Sequence, residues 1–130
     1  MSQPQPPAPT LIRLLIVDDN HSVRHGLTLM LQAFDDLQLV GQAADGEEAL
    51  LAYAEARPEV VLMDLLMPVM DGLTATRALR AEHPEARVIA LTSYLEDAIL
   101  TAALAAGACS CLGKHVSIDE LAGAIRAAAA

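Results

Sequence analysis

Beyond residue 10 the chain alternates between two hydrophobic patterns. Short, almost wholly aliphatic runs are typical of strands covered on both faces, and they occur at 11–17, 60–63 and 88–91. Weaker runs at 37–43 and 109–113 predict less buried strands. Between these runs, apolar residues recur at helical spacing. The pattern therefore predicts strands and helices in strict alternation, five of each.

Capping and breaking residues set the boundaries of the predicted helices. Asn20 is the expected N-cap of the first helix, whose apolar stripe extends as far as Phe34. Ser117 and Glu120 have the spacing of a capping box at the start of the last helix. The three helices between them are predicted at 46–57, 73–82 and 96–106.

Alternation of strands and helices determines the fold class. Parallel strands joined by right-handed crossovers give an α/β, flavodoxin-like (βα)5 three-layer sandwich. The three most apolar strands belong in the centre of the five-stranded sheet and the two weaker ones at its edges. The strand order 2-1-3-4-5 satisfies this requirement.

Composition limits the functions that such a domain can have. The 130 residues are 54% hydrophobic but only 2% aromatic, so one aliphatic core is expected and base-stacking surfaces are not. A net charge of −9 repels phosphate backbones and anionic lipid, so this chain alone is not expected to bind DNA or a membrane.

The two ends of the chain and its cysteines complete the expected organisation. Residues 1–10 are proline-rich without an apolar block, so we expect a disordered lead rather than a signal peptide, followed by one domain at 11–130. Cys109 and Cys111 lack the second pair of a zinc site, and we expect buried thiols in a reducing cytoplasm. The final alanines carry no helix C-cap, and we expect a piece of a longer protein that stops at a linker.

Acidic, hydroxyl and lysine side chains follow the predicted strands, at the edge of the sheet where ligands bind. Asp18 and Asp19 follow the first strand, Asp64 the third, Thr92 the fourth and Lys114 the fifth. Three neighbouring carboxylates require a cation, and oxygen ligands suit Mg²⁺. A lysine and a hydroxyl beside them suit a phosphoryl group, which a carboxylate nucleophile can accept as an acyl phosphate.

The sequence resembles the receiver domains of two-component response regulators. Four motifs carry this resemblance in chain order, namely LLIVDDN, VLMDLLMPVMDG, LTS and LGK, and it covers about residues 11–130. The details are most like the receivers of NarL/LuxR-type transcriptional regulators.

The resemblance implies a role for each matching acidic residue. Asp64 would be the phosphoacceptor. Asp19 would bind Mg²⁺ directly and Asp18 mainly through water, with the backbone carbonyl of Leu66 as a third protein ligand. Pro68 and Gly72 would shape the loop after the phosphoacceptor.

The resemblance also implies a switch, in which this chain departs from the family. Thr92 and Lys114 would contact the phosphoryl oxygens. The family usually has an aromatic switch residue three positions before the lysine, where this chain has Cys111, and Tyr94 is a candidate to replace part of that function. Leu66 and Tyr94 would flank the phosphoryl group and hinder water, which predicts a long-lived acyl phosphate.

The partners follow from the same resemblance. A sensor histidine kinase would supply the phosphoryl group, docking near the helix after Asn20. Phosphorylation would bias a surface made by the fourth helix, fifth strand and fifth helix toward a homodimer. DNA would be bound only through an output domain that is absent from this chain.

Three other classes of protein fit the residues less well. A phosphatase needs a general acid two positions beyond the nucleophile, where Leu66 stands, so we expect no turnover enzyme. An interaction module that is never phosphorylated typically lacks an acid or the lysine, and this chain has lost neither. A flavin or dinucleotide site needs a glycine-rich turn after the first strand, where this chain has Asp-Asp-Asn-His.

Overall fold

The computed structural model describes residues 11–130, so the predicted lead at 1–10 lies outside the described residues. Five strands and five helices alternate through this part of the chain, as predicted. They are β1 (Ile12–Val17), α1 (His21–Leu31), β2 (Leu37–Ala43), α2 (Gly46–Ala56), β3 (Val60–Asp64), α3 (Gly72–Glu82), β4 (Val88–Thr92), α4 (Asp97–Ala106), β5 (Ser110–Gly113) and α5 (Ile118–Ala129).

The strands form one parallel sheet in the order β2-β1-β3-β4-β5, which confirms the predicted order. Every residue of β3 and β4 is buried, whereas the edge strands β2 and β5 are buried only in part. The aliphatic content of each strand therefore reflects its position in the sheet, because central strands lose solvent on both faces.

Helices cover both faces of the sheet. Alternate strand residues point to opposite sides, so Leu14 and Ile16 of β1 face the layer of α1 and α5. Leu15 and Val17 face the opposite layer, in which Ala49 of α2 and residues of α3 pack. A smaller cluster lies under α4 and consists of Leu65, Ala90, Ala103, Ala108 and Cys111.

The first helix starts as predicted and ends early. Asn20 is its N-cap and accepts a hydrogen bond from the backbone N of Val23 (3.1 Å). The predicted extension to Phe34 is wrong, because the helix ends at Leu31. Phe34 N donates to the Leu31 carbonyl over three residues, a tighter turn than an α-helix, and the chain then enters β2. Phe34 still packs against the core from this turn, which explains why an apolar residue occupies the position.

The later helix boundaries agree with their sequence signals. Gly107 ends α4 with a φ of 110°, a left-handed conformation that favours glycine. Ser117 caps α5 by accepting a hydrogen bond from Glu120 N (3.1 Å), which is the first half of the predicted capping box. Of the helices in the described part of the chain, none has both the length and the apolar character to cross a membrane.

The expectation of two buried thiols is wrong for one of them. Cys111 is buried and Cys109 is exposed. The fifth strand begins at Ser110, so Cys109 lies in the loop that enters the edge of the sheet.

Candidate functional site

Polar side chains gather at the carboxyl ends of the strands. Asp18 directly follows β1, Asp64 ends β3, Thr92 ends β4 and Lys114 directly follows β5. Because the strands are parallel and adjacent, their carboxyl ends share one edge of the sheet, where α/β folds bind ligands.

Three carboxylates meet at this edge. One oxygen from each of Asp18, Asp19 and Asp64 lies within 4.8 Å of the others. Asp18 is 2% exposed and Asp64 is 4% exposed, whereas Asp19 lies at the surface. The cluster is therefore open to solvent on one side and enclosed on the other.

Lys114 reaches across to this cluster from the edge strand. Its Nζ lies 2.8 Å from Asp18 Oδ2 and 3.2 Å from Asp64 Oδ1. Its backbone N donates to the carbonyl of Thr92 (2.8 Å), which anchors the start of the β5–α5 loop to the end of β4. One ammonium thus bridges two buried carboxylates.

The charges in the cluster shift two pKa values. Burial raises the pKa of the Asp64 carboxyl, and the charge of Asp18 raises it further against the opposing effect of Lys114. Burial alone would lower the pKa of Lys114, but its hydrogen bond to Asp18 and the charge of Asp64 outweigh burial and raise it. Lys114 therefore remains a cation, and the site as a whole carries excess negative charge.

Backbone contacts hold the loop after β1 in place. Asp18 Oδ1 accepts from the backbone N of Asn20 (2.9 Å). Arg24, on α1, donates through Nη1 to the Asp18 carbonyl oxygen and through Nε to Gln42 Oε1 (3.2 Å). The sequence did not predict a role for Arg24. The only available signal was an arginine in the second turn of the helix that follows the acidic pair.

The loop after Asp64 is folded tightly back on the site. Gly72 is buried, and its N donates to the Leu65 carbonyl (3.1 Å). A Cβ atom on Gly72 would lie 2.1 Å from the carbonyl oxygen of Asp64. Val69 has a φ of 68° and is spanned by a hydrogen bond from Met70 N to the Pro68 carbonyl (2.7 Å). These features agree with the expected shaping of this loop by Pro68 and Gly72.

Of the residues expected to flank or sense a phosphoryl group, Leu66 and Tyr94 are exposed at the rim of the site, whereas Thr92 and Cys111 are buried. Leu66 N donates to Asp64 Oδ1 (3.4 Å), and the Leu66 residue is 67% exposed. Thr92 Oγ1 accepts from Tyr94 N (3.2 Å) and donates to the Tyr94 carbonyl (3.4 Å). Tyr94 is 66% exposed, whereas Cys111 is buried under α4 beside Ala90.

A cavity of about 330 Å³ extends from the rim toward α4. Its lining is mainly apolar and includes Leu66, Leu73, Ile99 and Ala102, with Thr92 at the side of the site. The region between Thr92 and α4 therefore contains space into which side chains can move.

Comparison with known proteins identifies the family to which this domain belongs. The family described as the response regulator receiver domain matches residues 14–126. The response regulator GacA of Pseudomonas protegens is 49% identical over 116 residues, which are 89% of this chain and 54% of that protein. The chain thus spans about half the length of this curated relative.

Solved structures give the same result. The receiver domain of the putative response regulator NarL from Mycobacterium tuberculosis is 32% identical, with a TM-score of 0.88 over 93% of this chain and 98% of that one. The CheX–CheY–BeF3–Mg²⁺ complex from Borrelia burgdorferi is 26% identical, with a TM-score of 0.84 over 91% of this chain and 89% of that one. The chain belongs to the receiver domain family of two-component response regulators, which confirms the resemblance carried by its motifs.

Proposed function

We propose that residues 11–130 form a phosphorylatable receiver in which Asp64 accepts a phosphoryl group from a sensor histidine kinase. The observation that carries this proposal is the position of the Asp64 carboxylate. It is buried at the carboxyl edge of the sheet, 3.2 Å from the Lys114 ammonium and within 4.8 Å of two further carboxylates. A nucleophilic oxygen thus has a cation beside it and a metal-binding donor set around it.

The transfer is a displacement at phosphorus. An oxygen of Asp64 forms the new O–P bond while the P–N bond of a phosphohistidine in the kinase breaks. The electron pair of that bond stays on the imidazole nitrogen, which takes up a proton from water. The product on this chain is an acyl phosphate, and one phosphoryl group is accepted per molecule. Leu66 stands where a phosphatase has its general acid, so turnover on phosphate esters is not expected.

The donor set fits Mg²⁺ as the cofactor. All the side-chain ligands are carboxylate oxygens, which Mg²⁺ prefers, and burial beside Asp18 makes the charge on Asp64 costly without a cation. Asp64 and Asp19 would bind the ion directly, Asp18 mainly through water, and the Leu66 carbonyl would be the remaining protein ligand. When bound, Mg²⁺ neutralises charge on the oxygens of the transferred group.

Lys114 and Thr92 are proposed as the residues that respond to the phosphoryl group. Lys114 already lies against Asp64, so a dianion formed there attracts its ammonium directly. The Thr92 hydroxyl bonds only weakly, to the backbone of Tyr94, and it faces a cavity that leaves it room to turn. Movement of Thr92 would draw on Tyr94 and the start of α4, which biases the surface formed by α4, β5 and α5.

Incubation with acetyl phosphate and Mg²⁺, followed by intact-mass measurement and tryptic mapping, tests the acceptor. The wild-type protein is expected to gain one phosphoryl group on the peptide that contains Asp64. Asp64→Asn is expected to gain none. Asp35→Asn is the matched control, since Asp35 is exposed in the turn before β2, and it is expected to be labelled like the wild type. Equal labelling of Asp64→Asn would overturn the assignment.

The chain spans about half the length of the curated relatives it matches, so its wider function is a separate proposal. We propose 11–130 as its cytoplasmic receiver domain, 1–10 as a lead, and DNA binding in a separate output domain, because this chain carries a net charge of −9. Phosphorylation is expected to favour a homodimer through α4, β5 and α5. Sizing with and without beryllofluoride and Mg²⁺ tests this, and an unchanged monomer would contradict it.

A further inference from the structure

Arg24 lies outside the residues that the family motifs single out, yet it holds the backbone of the acidic loop. Its guanidinium joins two segments. Nη1 bonds the carbonyl of Asp18, directly after β1, and Nε bonds Gln42 in β2. The planar fork of a guanidinium can make both bonds at once, which a lysine ammonium cannot do with the same geometry.

The bond to the Asp18 carbonyl has a consequence for the next residue. The carbonyl of Asp18 and the N–H of Asp19 belong to one rigid, planar peptide unit. Fixing that carbonyl therefore fixes the direction in which the chain leaves toward the Cα of Asp19. Within residues 11–130, no hydrogen bond or ion pair holds the Asp19 carboxylate itself. The orientation of Asp19 consequently depends on its backbone.

The carboxylate of Asp18, unlike that of Asp19, is held by direct contacts. Its two carboxylate oxygens are already held, one by the backbone N of Asn20 (2.9 Å) and the other by Lys114 (2.8 Å). Loss of Arg24 would therefore leave the Asp18 side chain restrained while it releases Asp19.

We propose that Arg24 is a positioning residue for the metal site, acting through the peptide unit between Asp18 and Asp19 to aim the Asp19 carboxylate. The proposal rests on the proposed function, in which Asp19 is a direct Mg²⁺ ligand. It assigns to Arg24 no contact with the ion or with the phosphoryl group.

Electrostatics and positioning predict opposite changes in Mg²⁺ affinity when Arg24 is removed, which makes the proposal testable. Arg24 is a cation near an anionic site, so removing its charge would by itself strengthen the binding of a divalent cation. Loss of positioning weakens binding, and changes of outer contacts typically cost a metal site about 10- to 100-fold in affinity. The direction of the change therefore separates the two effects.

Calorimetric titration of the chain with Mg²⁺ alone is the experiment. Arg24→Met is expected to bind Mg²⁺ about tenfold more weakly than the wild type. Arg24→Lys is expected to fall between the two, because one ammonium can still donate to the Asp18 carbonyl but cannot make both bonds of the guanidinium with the same geometry. Arg77→Met is the matched control, since Arg77 is an exposed arginine of α3 without a hydrogen bond or ion pair in the described residues, and its affinity is expected to equal that of the wild type.

A double-mutant cycle tests the route of the effect. In an Asp19→Asn background, Arg24→Met is expected to cause little further loss of affinity, because the ligand that it aims has already been weakened. Cooperative thermal unfolding without Mg²⁺ checks that each variant is folded. Additive losses would mean that Arg24 does not act through Asp19.

The outcomes also separate this proposal from the proposed function. Mg²⁺ affinity of Arg24→Met equal to or tighter than wild type overturns the positioning role, even if wild-type labelling at Asp64 proceeds as expected. A wild-type protein that binds no Mg²⁺, or that is not labelled at Asp64, overturns the proposed function itself.

Discussion

At the scale of single residues, Gly72 shows how closely the backbone approaches the candidate phosphoacceptor. The position of a Cβ would be 2.1 Å from the carbonyl oxygen of Asp64 and 2.8 Å from the Cα of Leu65. Both neighbours are backbone atoms, which cannot rotate away as a side chain can. A glycine is therefore required by the contact between the start of α3 and the end of β3.

Gly72→Ala is expected to lower the free energy of unfolding by roughly 2 kcal/mol or more, because the methyl group must displace backbone. Gly26→Ala is the control. Gly26 lies within α1, where a Cβ would meet nothing within 4 Å, and alanine there is expected to add about 0.5–1 kcal/mol. Urea unfolding of both variants checks the opposite signs, and a Gly72→Ala protein as stable as the wild type would refute the steric reason.

A second residue-scale prediction concerns the lifetime of the acyl phosphate. Leu66 is apolar, 67% exposed and bonded through its N to Oδ1 of Asp64, the proposed phosphoacceptor, and it lines the cavity beside Thr92. Leu66→Asn offers water a hydrogen-bonding partner and is expected to shorten the half-life about tenfold, less than a positioned general base contributes. The rate at which purified phosphoprotein loses phosphate measures this half-life.

Leu51→Asn is the control for this lifetime. Leu51 is a similarly exposed leucine, at 73%, but it lies on α2. Its substitution is expected to leave the half-life unchanged. A half-life of the wild type as short as that of Leu66→Asn would contradict the shielding role.

The residues of the site differ in how far their sequence positions predict them. Asp18, Asp64, Thr92 and Lys114 were predictable because each stands at the end of a strand whose aliphatic run is obvious, and parallel strands bring such ends together. Arg24 was not predictable, because its partners are backbone and β2 atoms that only the folded chain brings near it.

At the scale of elements, an ion pair joins the end of α5 to the turn before β2. Arg126 donates through Nε to Asp36 Oδ2 (2.7 Å) and through Nη2 to Asp36 Oδ1 (2.9 Å). Its guanidinium also lies 5.3 Å from the centroid of the Phe34 ring. The hydrogen bond with Arg126 holds the pKa of Asp36 below its ordinary value of 3.8.

The lowered pKa of Asp36 gives a pH dependence with a definite sign. The contribution of the pair to stability is present above the ordinary pKa and is lost as the pH falls through the lower pKa of the folded state. Asp36→Asn is therefore expected to melt below the wild type at about pH 6, with a difference that shrinks below about pH 4. Asp35→Asn, at the exposed neighbouring position, is expected to show no such trend. A constant difference for Asp36→Asn would contradict the ionic origin.

The type and order of the strands and helices were predictable from the sequence, whereas their exact boundaries were less predictable. Aliphatic runs and capping residues determine that a strand or helix exists, since burial and hydrogen bonding act locally. Phe34 was placed on α1 because its spacing is helical, although the core contact that makes it apolar is made from a turn. The start of β5 at Ser110 depends on pairing with β4, which a short run cannot reveal.

At the scale of the whole molecule, α4 has a weakly capped start and a small supporting cluster. Its N-cap, Glu96, makes no side-chain capping bond, whereas the N-cap side chains of the other four helices each accept one. The cluster beneath it is small and rich in alanine, and a cavity of about 330 Å³ adjoins it. Weak packing lowers the free energy required for local movement, so we expect α4 to move if Thr92 responds to a phosphoryl group as proposed.

Cys111 provides a reporter of that movement, because it is buried under α4. Burial raises the pKa of its thiol and so keeps the reactive thiolate scarce, whereas Cys109 is exposed. In native protein, one thiol is expected to react rapidly with an alkylating reagent and the second slowly. Mass measurement after timed quenching follows both.

A Cys109→Ser variant isolates Cys111 and connects its accessibility to the site. Beryllofluoride and Mg²⁺ are expected to accelerate labelling of Cys111, because the response of Thr92 loosens the cover that α4 provides. The same variant carrying Asp64→Asn is expected to show no acceleration, since the ligand for beryllofluoride has been removed. An unchanged rate in the first variant, under conditions where Asp64 is occupied, would mean that the signal leaves the site without moving α4 away from β5.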